Sequence, residues 1–562
     1  MAPTAMTTPL SLPTQAPLSN PSDAKLPLAR PAAGLESMPT EIIDIILDCL
    51  VPQPPELGET HPVSYAKLVP GEAWYSLTRN RRGLCSLCLV SRRWAAAARP
   101  LLYRVLTILD EDAMVLLFRT LAETPPYGTW TRFLSCHLTL TSEPVIRETR
   151  RAISRLLRIC KPATEPAAIM GPIKSSLRRI STMLPHLNAS PGFFDGIPQD
   201  MLFLILMFLP RLETLFLQLP ISDNEPDYGT LLHELERFYK LGVHTFEDPD
   251  LVPLHKIGTL LLQGDPEVEA HFERIDCDCH LNYAYGAQFS HYWPLYDALP
   301  NLKTLEVSID NGCWSNMAHG RDGGDNLYLA KIRHIYLHNS VTSPFDLHHL
   351  LRNAPNLETL YMTPRRGWSM DYEVDAGDLS FGHPESLDAA LVQHKNLRHL
   401  DVGWYNMARY ESLLGPEGRF KSLPELRRLE KLCVQLGALY GPEPGMRATP
   451  LADLLPPNLV ELILEDYWWF NINDFFEMDD WLPQDMILHY QSYHDYRVKF
   501  LDMFTQFARD AGERFPCLKK VGLLCKIPQT WMMDNTEVDL DFHFEDVRAL
   551  FRVQGVEFFV FS

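Results

Sequence analysis

At 562 residues the chain is too long for one compact core of ordinary size, so several domains or one extended repeat array is expected. A hydrophobic share of 46% and a charged share of 22% fit a soluble globular protein and exclude a fibrous or wholly unfolded one. The formal charge of −20 repels polyanions, which argues against nucleic-acid binding unless a local basic patch opposes the global field. The longest strongly apolar run, residues 201–209, stops at Pro210 and is far short of the roughly 20 residues that span a bilayer. Cys49, Cys160 and Cys433 sit in apolar runs and read as buried free thiols, and no secretory segment precedes Lys25. A cytoplasmic or nuclear location is therefore expected.

Residues 1–34 carry prolines at 3, 9, 13, 17, 21, 27 and 31 among Ser, Thr and Ala, and read as a disordered lead-in. Pattern begins at Leu35. Ser37 is placed to cap a helix, Pro39 suits a first turn, and Glu41 sits near the positive helix end. Ile42, Ile45, Ile46 and Leu50 then recur at helical spacing until Pro52, Pro54 and Pro55 stop the helix. Residues 52–83 read as an inserted loop. From Leu84 onward Leu87, Val90, Ser91, Trp94 and Ala98 share one helical face, which Pro100 ends before Leu101, Leu102 and Tyr103. Cys85 and Cys88 have C-x-x-C spacing, but no second pair completes a zinc site, so core packing is expected.

These residues carry a resemblance. Leu35, Met38-Pro39, Glu41-Ile42, Ile45-Ile46, Leu87, Val90-Ser91, Arg93-Trp94 and the stretch from Leu101 to Tyr103 resemble an F-box, a three-helix motif. Met38 stands where that family usually has leucine, a nearly volume-conserving exchange, and the long insertion is an excursion of small free-energy cost. The resemblance implies an F-box-like module over residues 35–107. It also implies a Skp-type adaptor and cullin ligase subunits as partners, with Pro39, Ile42, Ile45, Leu87, Val90 and Trp94 at the adaptor contact.

Residues 108–208 read as a helical linker with the first solenoid elements. Within them Arg147, Arg150, Arg151, Arg155, Arg158 and Lys161 make a basic stretch opposed only by Glu148; it reads as the solvated face of a helix that buries Ile153, Leu156, Leu157 and Cys160, or as a contact for an acidic peptide. From 209 to 562 a unit Leu-x-x-Leu-x-Leu, often preceded by Pro-Asn, recurs. Its first residues are Leu212, Ile257, Leu302, Ile332, Leu357, Leu397, Leu429, Leu459 and Leu518, at spacings of 45, 45, 30, 25, 40, 32, 30 and 59. In each unit the second and third apolar residues lie two apart on a strand and point inward, and one such strand cannot bury its face alone. Stacked copies make a curved parallel sheet backed by helices such as those around residues 347–351 and 500–507. The nine units resemble a leucine-rich repeat with irregular insertions. The fold class is therefore α/β: a helical module followed by a solenoid.

The positions flanking the inward pair are expected to face solvent: Gln218, Glu306, Ser308 and His338 among them. Phe216, Leu261, Tyr336 and Tyr361 fall in one central column. Exposed aromatics on a concave face suit protein recognition, so Phe216, Tyr336, Tyr361 and Asp401 are candidate target contacts. After the eighth unit, Trp468 and Trp469 lie in an aromatic and acidic loop over residues 465–483, either as a lid on the last repeats or as anchors for a basic segment of a target.

No phosphate-cradling loop, dinucleotide fingerprint, nucleophile elbow or H-E-x-x-H is present. Cys277, Cys279 and His280, with His271 and His291, are the best metal candidates, yet such adjacent ligands fit one tetrahedral ion poorly, and an inter-repeat loop is expected. No cofactor, metal or catalytic residue is assigned. The expected function is a non-enzymatic adaptor that binds the ligase through its helices and an unidentified target through its repeats. The alternative is a repeat scaffold whose helices only cap the solenoid.

Overall fold

A computed structural model describes residues 38–51, 72–108, 111–137, 197–218, 253–264, 293–308, 329–340, 344–364, 390–403, 420–440, 449–466, 501–525 and 544–561, with Thr342 and Asp388. Three helices come first: α1 (Thr40–Asp48), α2 (Glu72–Val90) and α3 (Arg92–Leu102). Helix α1 starts from Pro39, which offers no side-chain cap. The expected loop over 52–83 is too long, because helix resumes at Glu72. The single helix expected from Leu84 to Pro100 is two. Ser91 breaks it with extended backbone (φ −161°, ψ 167°) and accepts the Trp94 backbone N–H at 3.4 Å, acting as the N-cap of α3. Between them the helices bury Ile43, Leu47, Leu84, Trp94 and Ala98 as one small core.

Among the described residues twelve strands then form one parallel sheet in sequence order: β1 (Val105–Ile108), β2 (Phe133–His137), β3 (Thr214–Gln218), β4 (Thr259–Gln263), β5 (Thr304–Ser308), β6 (His334–Ser340), β7 (Thr359–Pro364), β8 (His399–Val402), β9 (Lys431–Gln435), β10 (Glu461–Asp466), β11 (Lys520–Cys525) and β12 (Glu557–Phe561). Each strand pairs with the one before and the one after it in the chain, a solenoid-like order in which neighbours alone hold neighbours. Helices α4 (Glu111–Glu123) and α5 (Ile197–Met207), Pro344–Asn353, residues 501–514 and Glu545–Val553 connect strands. Among the described residues no helix is long and apolar enough to cross a membrane; the apolar run at 201–209 is a buried connecting helix.

All nine units are strands β3 to β11, and their registers stack without a slip at the two inward positions. Leu215, Leu260, Leu305, Ile335, Leu360, Leu400, Leu432, Leu462 and Val521 make one continuous buried column. Leu217, Leu262, Val307, Leu337, Met362, Val402, Val434, Leu464 and Leu523 make the next. The first residue of each unit, from Leu212 to Leu518, turns into the same core three places earlier.

The sheet extends beyond the nine units, with β2 inside residues 108–208 where the first solenoid elements are expected, and β1 starting within the range expected for the helical module. Strands β1, β2 and β12 add to it, with Leu106, Leu134 and Phe558 joining the first column. Their units lack the leading aliphatic residue: Tyr103, Thr131 and Gly555 stand there. Gly555 adopts φ +75°, which ends the preceding helix in a left-handed turn that side chains disfavour.

The recurrent Asn has a defined use. Asn301, Asn356 and Asn458 each donate through Nδ2 to a carbonyl of the preceding unit, those of His255 (2.6 Å), Ala330 (2.7 Å) and Arg427 (2.7 Å). Each acceptor lies two residues before that unit's first apolar residue, so the side chain ties consecutive turns at the same height. Because stability is shared between neighbours, Leu360→Ala should cost about 2–5 kcal/mol. Hydrogen exchange should then show β6 and β8 loosening ahead of α1 and α3.

Candidate functional site

Two surfaces hold the residues singled out above. On the helical module, Ile43, Ile46, Leu47 and Leu50 occupy the side of α1 that faces the small core. At about 100° per residue, Ile42 and Ile45 carry the apolar arc roughly 100° past that side. They stand out of the core at 43% and 59% exposure, joined by Leu89 at 88% and Val90 at 47% on the end of α2. Those four are among only six large apolar side chains exposed in the described residues, although the module is a small part of them. Pro39 beside them is exposed too. Leu87 is half-buried against the core. Trp94, at 1% exposure, is the centre of that core and not a contact residue, because the three helices close on it together with Ile43, Leu47, Leu84 and Ala98. Leu89, on the same helix as the buried Leu84 and about 140° round from it, faces water.

The module is held firmly to the sheet. Arg81 Nη1 donates to Thr107 Oγ1 on β1 at 2.7 Å. Tyr103 packs on Tyr127 at 4.7 Å between ring centroids, Tyr127 stacks on Trp130 at 5.1 Å, and Arg99 donates to the Tyr127 hydroxyl at 3.1 Å. The exposed apolar side chains of α1 and α2 are thus fixed in direction relative to the repeats.

The second surface is the outward face of the sheet, and it is less open than its alternation implies. Phe216 and Leu261 are each 1% exposed and close a cluster with Val105 and Phe133 on the neighbouring strands; Phe216 is therefore packing, not a free anchor. Tyr336 and Tyr361 are half-buried, side by side at 6.2 Å, and His338 lies against both at 6.4 and 5.2 Å. Gln218, Glu306, Ser308 and His338 are buried, contrary to the expected solvent contact. Glu306 Oε1 meets His338 Nε2 at 3.1 Å with both side chains 6% exposed. Burial pushes the Glu306 carboxyl above the usual carboxylate range, and its bond to His338 opposes this. Further along, the Thr359 hydroxyl sits between His334 Nδ1 (3.1 Å) and His399 Nδ1 (3.4 Å).

Asp401, Cys433 and Glu465 meet on β8, β9 and β10, with Cys433 Sγ 3.9 Å from Glu465 Oε1. Burial first, and Glu465 second, push the Asp401 carboxyl up to about 7, while a hydrogen bond from Cys433 pulls the other way. Burial and the same two carboxylates push the Cys433 thiol well up, the opposite of what a nucleophilic thiolate needs. The group is chemically suited to receiving a cationic side chain, whose charge would relieve the repulsion between its carboxylates.

The remaining candidates divide as follows. Cys85 is exposed and Cys88 half-buried, so the pair is not wholly core. Cys49 is exposed against expectation, Cys433 half-buried, and Cys136 buried. Trp468, Trp469, Cys160, the basic stretch at 147–161, and Cys277, Cys279 and His280 lie outside the described residues, as do residues 1–34. Among the described residues no three His, Cys, Asp or Glu side chains are placed to hold a metal ion. Comparison with protein-family models and with curated proteins finds no match.

A pH dependence follows from Asp401. Its folded pKa is raised, so between about pH 4, where the unfolded carboxyl ionises, and pH 7 the folded state alone keeps the proton, and stability falls as pH rises. Asp401→Asn removes this loss. Its stabilising effect in urea titrations should be near zero at pH 4 and should grow to a plateau by pH 8.

Proposed function

We propose that the chain is a non-catalytic adaptor of the F-box and leucine-rich-repeat kind, which presents a target to a Skp/cullin-type ubiquitin ligase in the cytoplasm or nucleus. The observation that carries this reading is the exposure of four large apolar side chains, Ile42 and Ile45 on α1 and Leu89 and Val90 on α2, on a helical module that has already filled its own core. Exposed isoleucine and leucine at this density are costly in water and suit burial by another protein. The F-box-like pattern of the sequence supports a Skp-type subunit as that protein. The outward face of the sheet is the second binding surface, with Tyr336, Tyr361 and Asp401 as contacts. In this mechanism the chain makes and breaks no bonds; it raises the local concentration of target lysines near a ubiquitin-conjugating enzyme recruited by another subunit.

A second reading rests on a different observation. The bond from Arg81 to Thr107 and the rings of Tyr103, Tyr127 and Trp130 clamp the helices on the first strands, as a cap that protects the open end of a repeat array would be clamped. On this reading no ligase subunit binds.

Calorimetric titration of the full chain with a purified Skp-type adaptor separates the two. The adaptor reading expects a one-to-one complex. Ile45→Asp and Leu89→Asp should each weaken it about a hundredfold, or roughly 2.7 kcal/mol, with the melting temperature unchanged because neither side chain packs in the core. No complex with the parent chain, or full affinity in both variants, leaves the cap reading.

A further inference from the structure

The registers of β3 to β6 place Gln218, Gln263, Ser308 and His338 side by side, one from each strand, in the C-terminal halves of four adjacent strands. At about 4.8 Å between strands the row is roughly 14 Å long. Every member is more than nine-tenths buried, at 7%, 1%, 3% and 5% exposure. Three of them carry a buried polar atom without a hydrogen-bond partner: Gln218 Oε1, Gln263 Nε2 and Ser308 Oγ. Buried polar groups are nearly always paired, so three orphans in consecutive positions of one row mark a set of bonds that something else completes.

We propose that this row binds an extended peptide segment of the target through its backbone, lying across the four strands. This deepens the target-binding half of the function proposed above and rests on it. The chemistry favours a neutral ligand with amide groups. The row contains no Lys or Arg to hold an anion, and Glu306, the carboxylate beside it among the described residues, is engaged with His338. A glutamine amide turns to offer either a donor or an acceptor, and a peptide group offers the complement of both. The length of the row matches about four extended residues at roughly 3.4 Å each. The visible trace of such a ladder is the Gln that follows the last apolar residue of a unit in Thr-Leu-Phe-Leu-Gln218 and Thr-Leu-Leu-Leu-Gln263. Because the row lies beneath the surface, association is slower than for an open groove.

Random dodecapeptides displayed on phage and panned on the full chain supply the probes, and the enriched ones are synthesised and titrated by fluorescence anisotropy. The expected result is a peptide whose affinity falls about tenfold or more in Gln263→Leu or Ser308→Ala and falls similarly when its central backbone amides are N-methylated. Melting separates this from a structural role. An orphaned atom kept for a ligand leaves the variants as stable as the parent or more so, whereas a row completed internally by water makes both variants melt lower. The proposal is overturned if no peptide is enriched, if both variants and the N-methylated peptide bind as the parents do, or if both variants lose stability. Adaptor binding through α1 and α2 takes no part in this measurement, so its outcome does not decide the ligase reading.

Discussion

A single parallel strand of five residues has no stable existence, because it leaves one face of leucine in water and both backbone edges unpaired. Everything in this protein follows from the way that problem is solved by repetition. Columns running through Leu215, Leu260, Leu305 and Ile335, and through Leu217, Leu262, Val307 and Leu337, bury each strand only against its neighbours and the helices behind them. The registers must therefore agree across the sheet, since a slip of one residue would turn the whole inward set outward. The Asn side chains at 301, 356 and 458 act on the same constraint from the loops, fixing the height of one turn on the carbonyls of the last.

Once register is fixed for the core, it is also fixed for the opposite face. The positions between the inward columns form rows of their own, and their character changes along the array. Over β1 to β4 the face closes on Val105, Phe133, Phe216 and Leu261; over β5 to β7 it carries Glu306, Tyr336, His338 and Tyr361; over β8 to β10 it turns acidic with Asp401 and Glu465. A surface graded from apolar to polar to acidic is what a repeat array obtains without altering its fold, because these side chains contribute little to the inward packing. Near β8 to β10 burial and like charge act together on Asp401 and Cys433.

The helical module obeys a different economy. Three short helices bury one tryptophan and a few aliphatic residues, too little to hide all the apolar residues that α1 and α2 carry. What is left over is a set of exposed apolar side chains whose orientation the clamp to β1 and the Tyr103 ring cluster make definite. A sticky surface on a rigid mount and a graded surface on a long sheet are the two features on which an adaptor role depends.

Much of the sheet was legible in the sequence by itself. The alternation of Leu-x-Leu and the leading aliphatic three places earlier are local patterns, and local pattern decides which side chains point inward; all nine units are strands for that reason. The limits of the sheet were not legible, because β1, β2 and β12 put Tyr103, Thr131 and Gly555 where the pattern requires an aliphatic residue, and only pairing with an existing neighbour makes them strands. Tertiary structure alone decided the candidate surfaces. Alternation says that Phe216, Gln218, Glu306 and His338 point away from the core, but burial depends on what packs over them, which no period in the chain encodes. Likewise the helical spacing of Leu87, Val90 and Trp94 suggests one face, yet only the packing of the three helices decides that Trp94 is in the core while Val90 stays exposed.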